Sequence, residues 1–560
     1  MNKLILFSLL FFGFYAQAND LPELISTYQA DKSALERKYP NGLSDIYFER
    51  MTKFYVEWEK DLEKVDFKAL SKVHKIDYVL LKNQIKRNAY FHSLEKVEYE
   101  KVKDVAAFAT DIYAFNEIRK TGKNVNAGEL ASKFNDANKK LLELIKDLKS
   151  KPKYTSWQAA ELASDIIFQL KKATDESHKF YFEYNPEYMW WMKTSQVTLT
   201  KNLEKYADAL KGHFENTLVK DDGSGIIGKP IGRTAIQKEL EFEFISYTPE
   251  QLIAEANKQF AWCEKEMIMA STELGYGNDW KKALEFVKQT YVPPGQWQED
   301  VNKLAWEAID FVEKRDLVTV PPLAKETWRT VMLSADAQRV SPFFLGGEVI
   351  QVAYPTADME YDDKMMSMRG NNPHFSRATV HHELIPGHHL QMFMNQRNKP
   401  YRRLFYTPFW IEGWSLYWEF NLWDKNFPKT PEDKIGMLFW RMHRCARIIF
   451  SLNYHLGKMT PLQCIDLLVD KVGHERANAE AEVRRSFTGR YGPLYQIAYM
   501  IGGLQFYSLH KELIDGGKMS EKQFHDTILQ NNAIPVELVK AILKDEEIER
   551  DKKSTWRFLD

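Results

Sequence analysis

The chain has 560 residues, with 77 Lys and Arg against 78 Asp and Glu for a net charge of −1. An apolar share of 44% supports a large core and excludes both wholesale disorder and a polytopic membrane protein. The near-neutral balance gives no pull toward nucleic acid or an anionic membrane. With only 26 Gly and 21 Pro, few turns are encoded and helix is expected to dominate. The three cysteines, Cys263, Cys445 and Cys464, form no CxxC pair, which argues against a cysteine metal site.

At the start of the chain, Lys3 precedes the apolar run Leu4–Tyr15, and Ala16-Gln17-Ala18 reads as a cleavage site. The run is too short to span a bilayer comfortably. Residues 1–18 are therefore expected to be a signal peptide, and the protein to be exported, periplasmic or extracellular, without stable membrane insertion. From 19 to 222 the pattern is long, charged and amphipathic, as in Ile46-Tyr47-Phe48 onward, and predicts an N-terminal helical subdomain. Asp221-Asp222-Gly223-Ser224-Gly225, followed by Gly228, Pro230 and Gly232, breaks that pattern, so 223–560 is read as a second, catalytic helical subdomain.

Helix starts are plain beyond the break. Thr248-Pro249-Glu250-Gln251 and Thr460-Pro461-Leu462-Gln463 both set Thr at N-cap, Pro at N1 and Gln at N3, and Thr430-Pro431 offers a third start. In residues 341–356, Gly346-Gly347 precede Val349, Gln351 and Ala353 alternating with Ile350, Val352 and Tyr354, which predicts a strand or hairpin, either structural or an edge that pairs with an extended peptide. Residues 544–553 (KDEEIERDKK) read as an exposed helical tail.

The chemistry concentrates at His381-His382-Glu383-Leu384-Ile385-Pro386-Gly387-His388-His389, where four of the 14 histidines fall together. In the zinc-protease pattern H-E-x-x-H, two histidines share a helical face and the Glu activates water. Here Pro386 occupies i+4 from His382. In a regular helix His388 would lie about 240° around and His389 about 10.5 Å along the axis, and neither suits a single ion. Pro386 cannot donate to the His382 carbonyl, however, and a bulge that absorbs two residues would bring His388 to the i+4 place. His388 is the expected second ligand, with His389 in reserve. The aromatic stretch after Thr407-Pro408 carries Glu412 and Glu419, seven apart on one face. A buried carboxylate needs a partner, so Glu412 is expected as third ligand and Glu419 either as a support for the ligands or as an ion-pairing residue.

The string HHELIPGHHLQ (381–391) followed by EGWSLYWE (412–419) resembles the bacterial domain of unknown function 885. The likeness continues through RGNNPHFSRATVHHE, RMHRCARIIFSLNYHLGKMTP, GHERANAEAEVRRSF and YGPLYQIAYMIGGLQF, across most of 230–530. That family looks like a branch of the zinc peptidases with a Glu third ligand, akin in architecture to angiotensin-converting enzyme and thimet oligopeptidase. The resemblance implies a mostly α fold with a deep cleft or channel, a small β-hairpin or sheet beside the active site, and a preference for short peptides. By motif it maps the zinc ligands to His382, His388 and Glu412, with one zinc per chain, and the catalytic acid to Glu383.

These roles imply a reaction. Zinc on three side chains keeps a position for water and lowers its pKa, while Glu383 takes and returns the proton. An oxyanion donor is sought among Tyr491, Tyr495 and Tyr499, spaced i, i+4 and i+8, with Tyr499 preferred and His455 behind them. Arg484, Arg485 and Arg490 suit a substrate carboxylate, but ion pairs with Glu480 and Glu482 are the simpler use. The reading is an exported zinc metallopeptidase acting on a peptide or amide substrate. Its rivals are a zinc amidase on a non-peptide amide and a peptide-binding protein with an inactive metal site. The oligomeric state is open.

Overall fold

The computed structural model describes residues 20–215, 217, 220–340, 349–489 and 491–560. The leader at 1–18, the segment 341–348 and Arg490 lie outside the described residues. The fold is mostly helical. In chain order the helices are α1 (Leu21–Lys38), α2 (Asp45–Glu63), α3 (Lys72–Glu100), α4 (Thr110–Lys120), α5 (Ala127–Ser150), α6 (Trp157–Tyr184), α7 (Pro186–Gly212), α8 (Gly232–Phe242), α9 (Pro249–Glu273), α10 (Trp280–Lys288), α11 (Trp297–Lys314) and α12 (Pro322–Thr327). After strand β1 (Arg329–Met332), helix α13 (Ala335–Val340) and strand β2 (Val349–Val352) come α14 (Tyr361–Gly370), α15 (Pro373–Glu383), α16 (His388–Asn395), α17 (Pro408–Asp424) and α18 (Pro431–His455). The chain closes with α19 (Pro461–Leu467), α20 (Arg476–Thr488), α21 (Tyr495–His510), α22 (Glu521–Leu529) and α23 (Val536–Leu543).

The helix starts follow from local chemistry. Thr248 and Thr460 each accept from the N3 backbone while Gln251 and Gln463 reach back, two complete capping boxes with Pro at N1. Thr407 and Thr430 cap α17 and α18 with their side chains alone, accepting from the N–H of Phe409 and of Asp433, and each is followed by Pro. These caps satisfy N–H groups that a helix leaves orphaned.

The described chain forms two compact units. Residues 28–64 and 84–220 form one; residues 65–83 pack in the other, with 221–560 and the start of α1. The first unit is a set of helices packed around Phe115, Phe134, Ile167, Leu199 and Tyr206, all buried. The second is centred on α17, which is buried continuously from Glu412 to Leu422 and is therefore a central helix. Trp410, Trp414 and Trp418 are fully buried there.

Glycine sets how closely α17 meets α21. A Cβ on Gly502 would fall 1.9 Å from the Phe409 carbonyl oxygen, and one on Gly413 2.6 Å from the Gly502 backbone. Only bare backbone fits at that crossing. Gly436 does the same for α18 against α15, with the His374 carbonyl oxygen 2.2 Å from a would-be Cβ.

Two expectations change. β2 pairs with β1 in parallel, Arg329 opposite Val349 through Met332 opposite Val352, so the small sheet is not a hairpin. Parallel strands need a crossover, and the connection carries α13. The C-terminal tail is not helical: helix ends at Leu543, and Asp545 takes a left-handed turn (φ 52°). Its acids pair across to α3 and not along a helix, Asp545 with Lys72 at 2.8 Å, Glu547 with Lys75 at 3.4 Å and Asp551 with Lys82.

Candidate metal centre

Helix α15 delivers His382 and Glu383 in its last turn, then stops. Leu384 leaves helical geometry (φ −103°, ψ −110°), and α16 begins at His388. The N–H of Gly387 donates to the carbonyl of His381 at 3.0 Å, six residues back where a helix would reach four. Two residues are thus absorbed, by a break between two helices and not by a bulge inside one. A Cβ on Gly387 would lie 1.8 Å from the His382 carbonyl oxygen, so this return of the chain requires glycine. Trp414 Nε1 donates to the Pro386 carbonyl at 2.9 Å and fastens the loop to α17.

The break brings His388 to His382, their ring centres 4.9 Å apart. One donor atom from each of His382, Glu383 and His388 lies within 4.8 Å of the others. Glu412, from the second turn of α17, points Oε2 at both rings, 3.2 Å from His388 Nε2 and 3.7 Å from His382 Nε2. The opposite ring edges are already held. His382 Nδ1 is 2.7 Å from Glu419 Oε1, and His388 Nδ1 is 2.6 Å from the Gln391 amide nitrogen. Gln391 is itself fixed to the Ile411 carbonyl at 3.0 Å and to Ser415 Oγ at 3.3 Å.

The donors fit a divalent ion. Glu412 Oε2 is sealed from solvent without an aligned hydrogen bond, and it is flanked by one nitrogen of each ring. Two His and one Glu with the rings oriented from behind is a zinc-type donor set. Electrostatics respond to the same crowding. Burial disfavours a charged His382 ring, but the carboxylates of Glu412 and Glu419 outweigh it and push its pKa up to about 9. Burial likewise opposes ionisation of Glu412, and the two histidines more than reverse that, holding it well below the usual carboxylate range.

The remaining predicted residues separate. Glu383 is half-buried and makes no hydrogen bond or ion pair among the described residues. Tyr495 donates to Glu412 Oε1, Tyr499 donates to the Tyr495 hydroxyl at 3.3 Å, and the Tyr499 ring stacks on His382 at 6.2 Å. Burial pushes both phenols up, Tyr499 to about 12, so both carry their protons at neutral pH. Tyr491 is exposed and stacks on Tyr495 at 4.2 Å. His389 turns away, with Nε2 2.7 Å from the Ala324 carbonyl, and His455 packs against Tyr454 and Phe487. Arg484 binds the Gly225 carbonyl at 2.9 Å and Arg485 pairs with Glu482 at 2.7 Å. Sequence reasoning missed Gln391 and the buried pair Arg444 and Arg447. Gln391, three residues after His388, stood at the edge of the histidine string, while the arginines had no spacing signal. A separate cavity of about 560 Å³ opens beside β1, lined by Trp306, Trp328, Arg329 and Thr330 among others, and holds none of the predicted site residues.

Known proteins bear on this geometry in two ways. The chain belongs to the family described as bacterial protein of unknown function (DUF885), whose pattern matches residues 25–543. Among solved structures it is similar to one described as a "putative lipoprotein of unknown function" from Shewanella oneidensis, at 17% identity and a TM-score of 0.69, covering 94% of this chain and 99% of that one. It is also similar to a "putative lipoprotein" from Colwellia psychrerythraea, at 15% identity and a TM-score of 0.58, covering 95% and 99%. At such identities the likeness is one of fold. No curated protein matches the chain.

Proposed function

We propose that the protein is an exported zinc metallopeptidase that hydrolyses short peptides. The observation that carries this reading is the convergence of His382 Nε2, His388 Nε2 and Glu412 Oε2 beside an uncommitted Glu383. A zinc ion bound by those three residues would polarise the scissile carbonyl and lower the pKa of a water. Glu383 takes the proton of the attacking water and passes it to the leaving amine nitrogen. Tyr499 turns its hydroxyl proton from the Tyr495 oxygen toward the oxyanion. Glu419 holds the proton on His382 Nδ1 and so keeps Nε2 free for the metal. Export is supported by the apolar run Leu4–Tyr15 with Ala16-Gln17-Ala18 behind it, and by the lipoprotein descriptions of the two solved relatives. Among the described residues no helix is long and apolar enough to cross a membrane.

The test is digestion of a mixed peptide library by zinc-loaded protein, read by mass spectrometry. Cleavage that disappears with a chelator and returns with zinc is expected. Hydrolysis of non-peptide amides alone would favour the amidase, and retention of peptides without cleavage the binding protein.

A further inference from the structure

Behind Tyr499 lies a buried group of charges that the reaction above does not use. Arg444 and Arg447 of α18 place their guanidinium carbons 4.7 and 4.6 Å from the centre of the Tyr499 ring, the ring that stacks on His382. Arg485 of α20 lies with them. Glu482 answers two of the three: its Oε1 is 2.7 Å from Arg447 Nε and its Oε2 2.7 Å from Arg485 Nε. His443 and His474 contact each other at 2.9 Å and are kept neutral by burial, so they add no charge. Glu412 and Glu419 also feel Arg444, but they are committed to the histidines.

Donors are therefore left over. Arg444 is 6% exposed, has Nε sealed from solvent without an acceptor, and makes no hydrogen bond or ion pair among the described residues. Arg447 is 4% exposed and has Nη1 in the same condition. Aromatic faces offer these cations some attraction, from Tyr499 and from Trp440 at 5.5 Å, but no lone pair. Buried guanidinium groups are normally paired and hydrogen-bonded, and two adjacent ones with free donors present a fork that matches a planar carboxylate.

We propose that Arg444 and Arg447 bind the free α-carboxylate of the substrate, so that the substrates are peptides with an unblocked C-terminus, cleaved near that end. Cleavage there rests on the peptidase reading; capture of the carboxylate does not.

The test reads binding. Zinc-loaded Glu383→Gln protein is dialysed to equilibrium against tripeptides lacking Asp and Glu, half as free acids and half as C-terminal amides, and the retained species are counted by mass spectrometry. Free acids should be held about 10- to 100-fold better than amides, the span of a charge-assisted hydrogen-bond pair. Arg444→Gln in the same background should bring the ratio near one, and Arg444→Lys should restore part of it. Equal retention of acids and amides, or retention of neither, overturns the proposal without any arginine variant. Amides that carry an internal Asp or Glu form a further arm, and their retention on a par with the free acids overturns the α-carboxylate assignment. Wild-type protein that cleaves nothing while Glu383→Gln still holds free acids sinks the peptidase reading and leaves the subsite standing. Cleavage of acids and amides alike does the reverse.

Discussion

Two acids from different helices, Glu383 and Glu412, face the same pair of histidines with different duties. Glu412 is sealed and aimed at both Nε2 atoms, whereas Glu383 is half-buried and free to accept a proton. Glu383→Gln should keep zinc and lose about 10²- to 10⁴-fold in kcat; a variant with full turnover would remove Glu383 from the reaction. Glu419→Ala should weaken zinc binding about 10- to 100-fold, because it frees the His382 ring to turn; competition with a graded chelator measures this. Glu482 makes a separate prediction about pH. Burial alone would raise its pKa, but Arg447 and Arg485 outweigh burial and bring it down to about 2. Its contribution to stability is thus complete above its unfolded value near 4.5 and lost as pH falls from there toward 2. Glu482→Gln should cost about 3–5 kcal/mol at pH 7, since it leaves buried guanidinium groups without their partner. The gap from wild type in denaturant titrations should narrow across that acid window; a constant gap would show that Glu482 does not ionise as described.

At the scale of elements, some features were legible and others were not. Thr248, Thr407, Thr430 and Thr460, each followed by Pro, start helices where their chemistry says they should, because caps are local. The displaced second histidine was also readable, since Pro386 breaks the ladder whatever surrounds it. The form of the break was not, because Trp414 and the close approach of Gly387 belong to tertiary packing. The partner of β2 lies at 329–332, outside the alternating stretch that signalled a strand, and nothing local points to it. The α17–α21 crossing, which sets Tyr495 and Tyr499 against Glu412 and His382, depends on glycines spaced too far apart to read as a pattern. Gly502→Ala should therefore lower both Tm and zinc content, since its Cβ meets the Phe409 carbonyl. Gly492→Ala, with nothing within 4 Å, should do neither. Parallel melts and zinc assays on the two variants decide the matter; equal effects would mean that the crossing does not position the site.

For the whole molecule, composition anticipated the helical fold, while the site came from four short segments brought together from α15, α16, α17 and α21. The leader expected at 1–18 lies outside the described residues. The proposed peptidase activity depends on whether that assembled site holds a metal. The most direct measurement is zinc per chain in purified protein, wild type beside Glu412→Ala, after identical mild dialysis. About one zinc in the wild type and a clear loss in the variant are expected, because Glu412 supplies one of three ligands. A folded wild type that takes up no zinc even on reconstitution would contradict the account, and would leave His382, His388 and Glu412 as a buried ion-pair network.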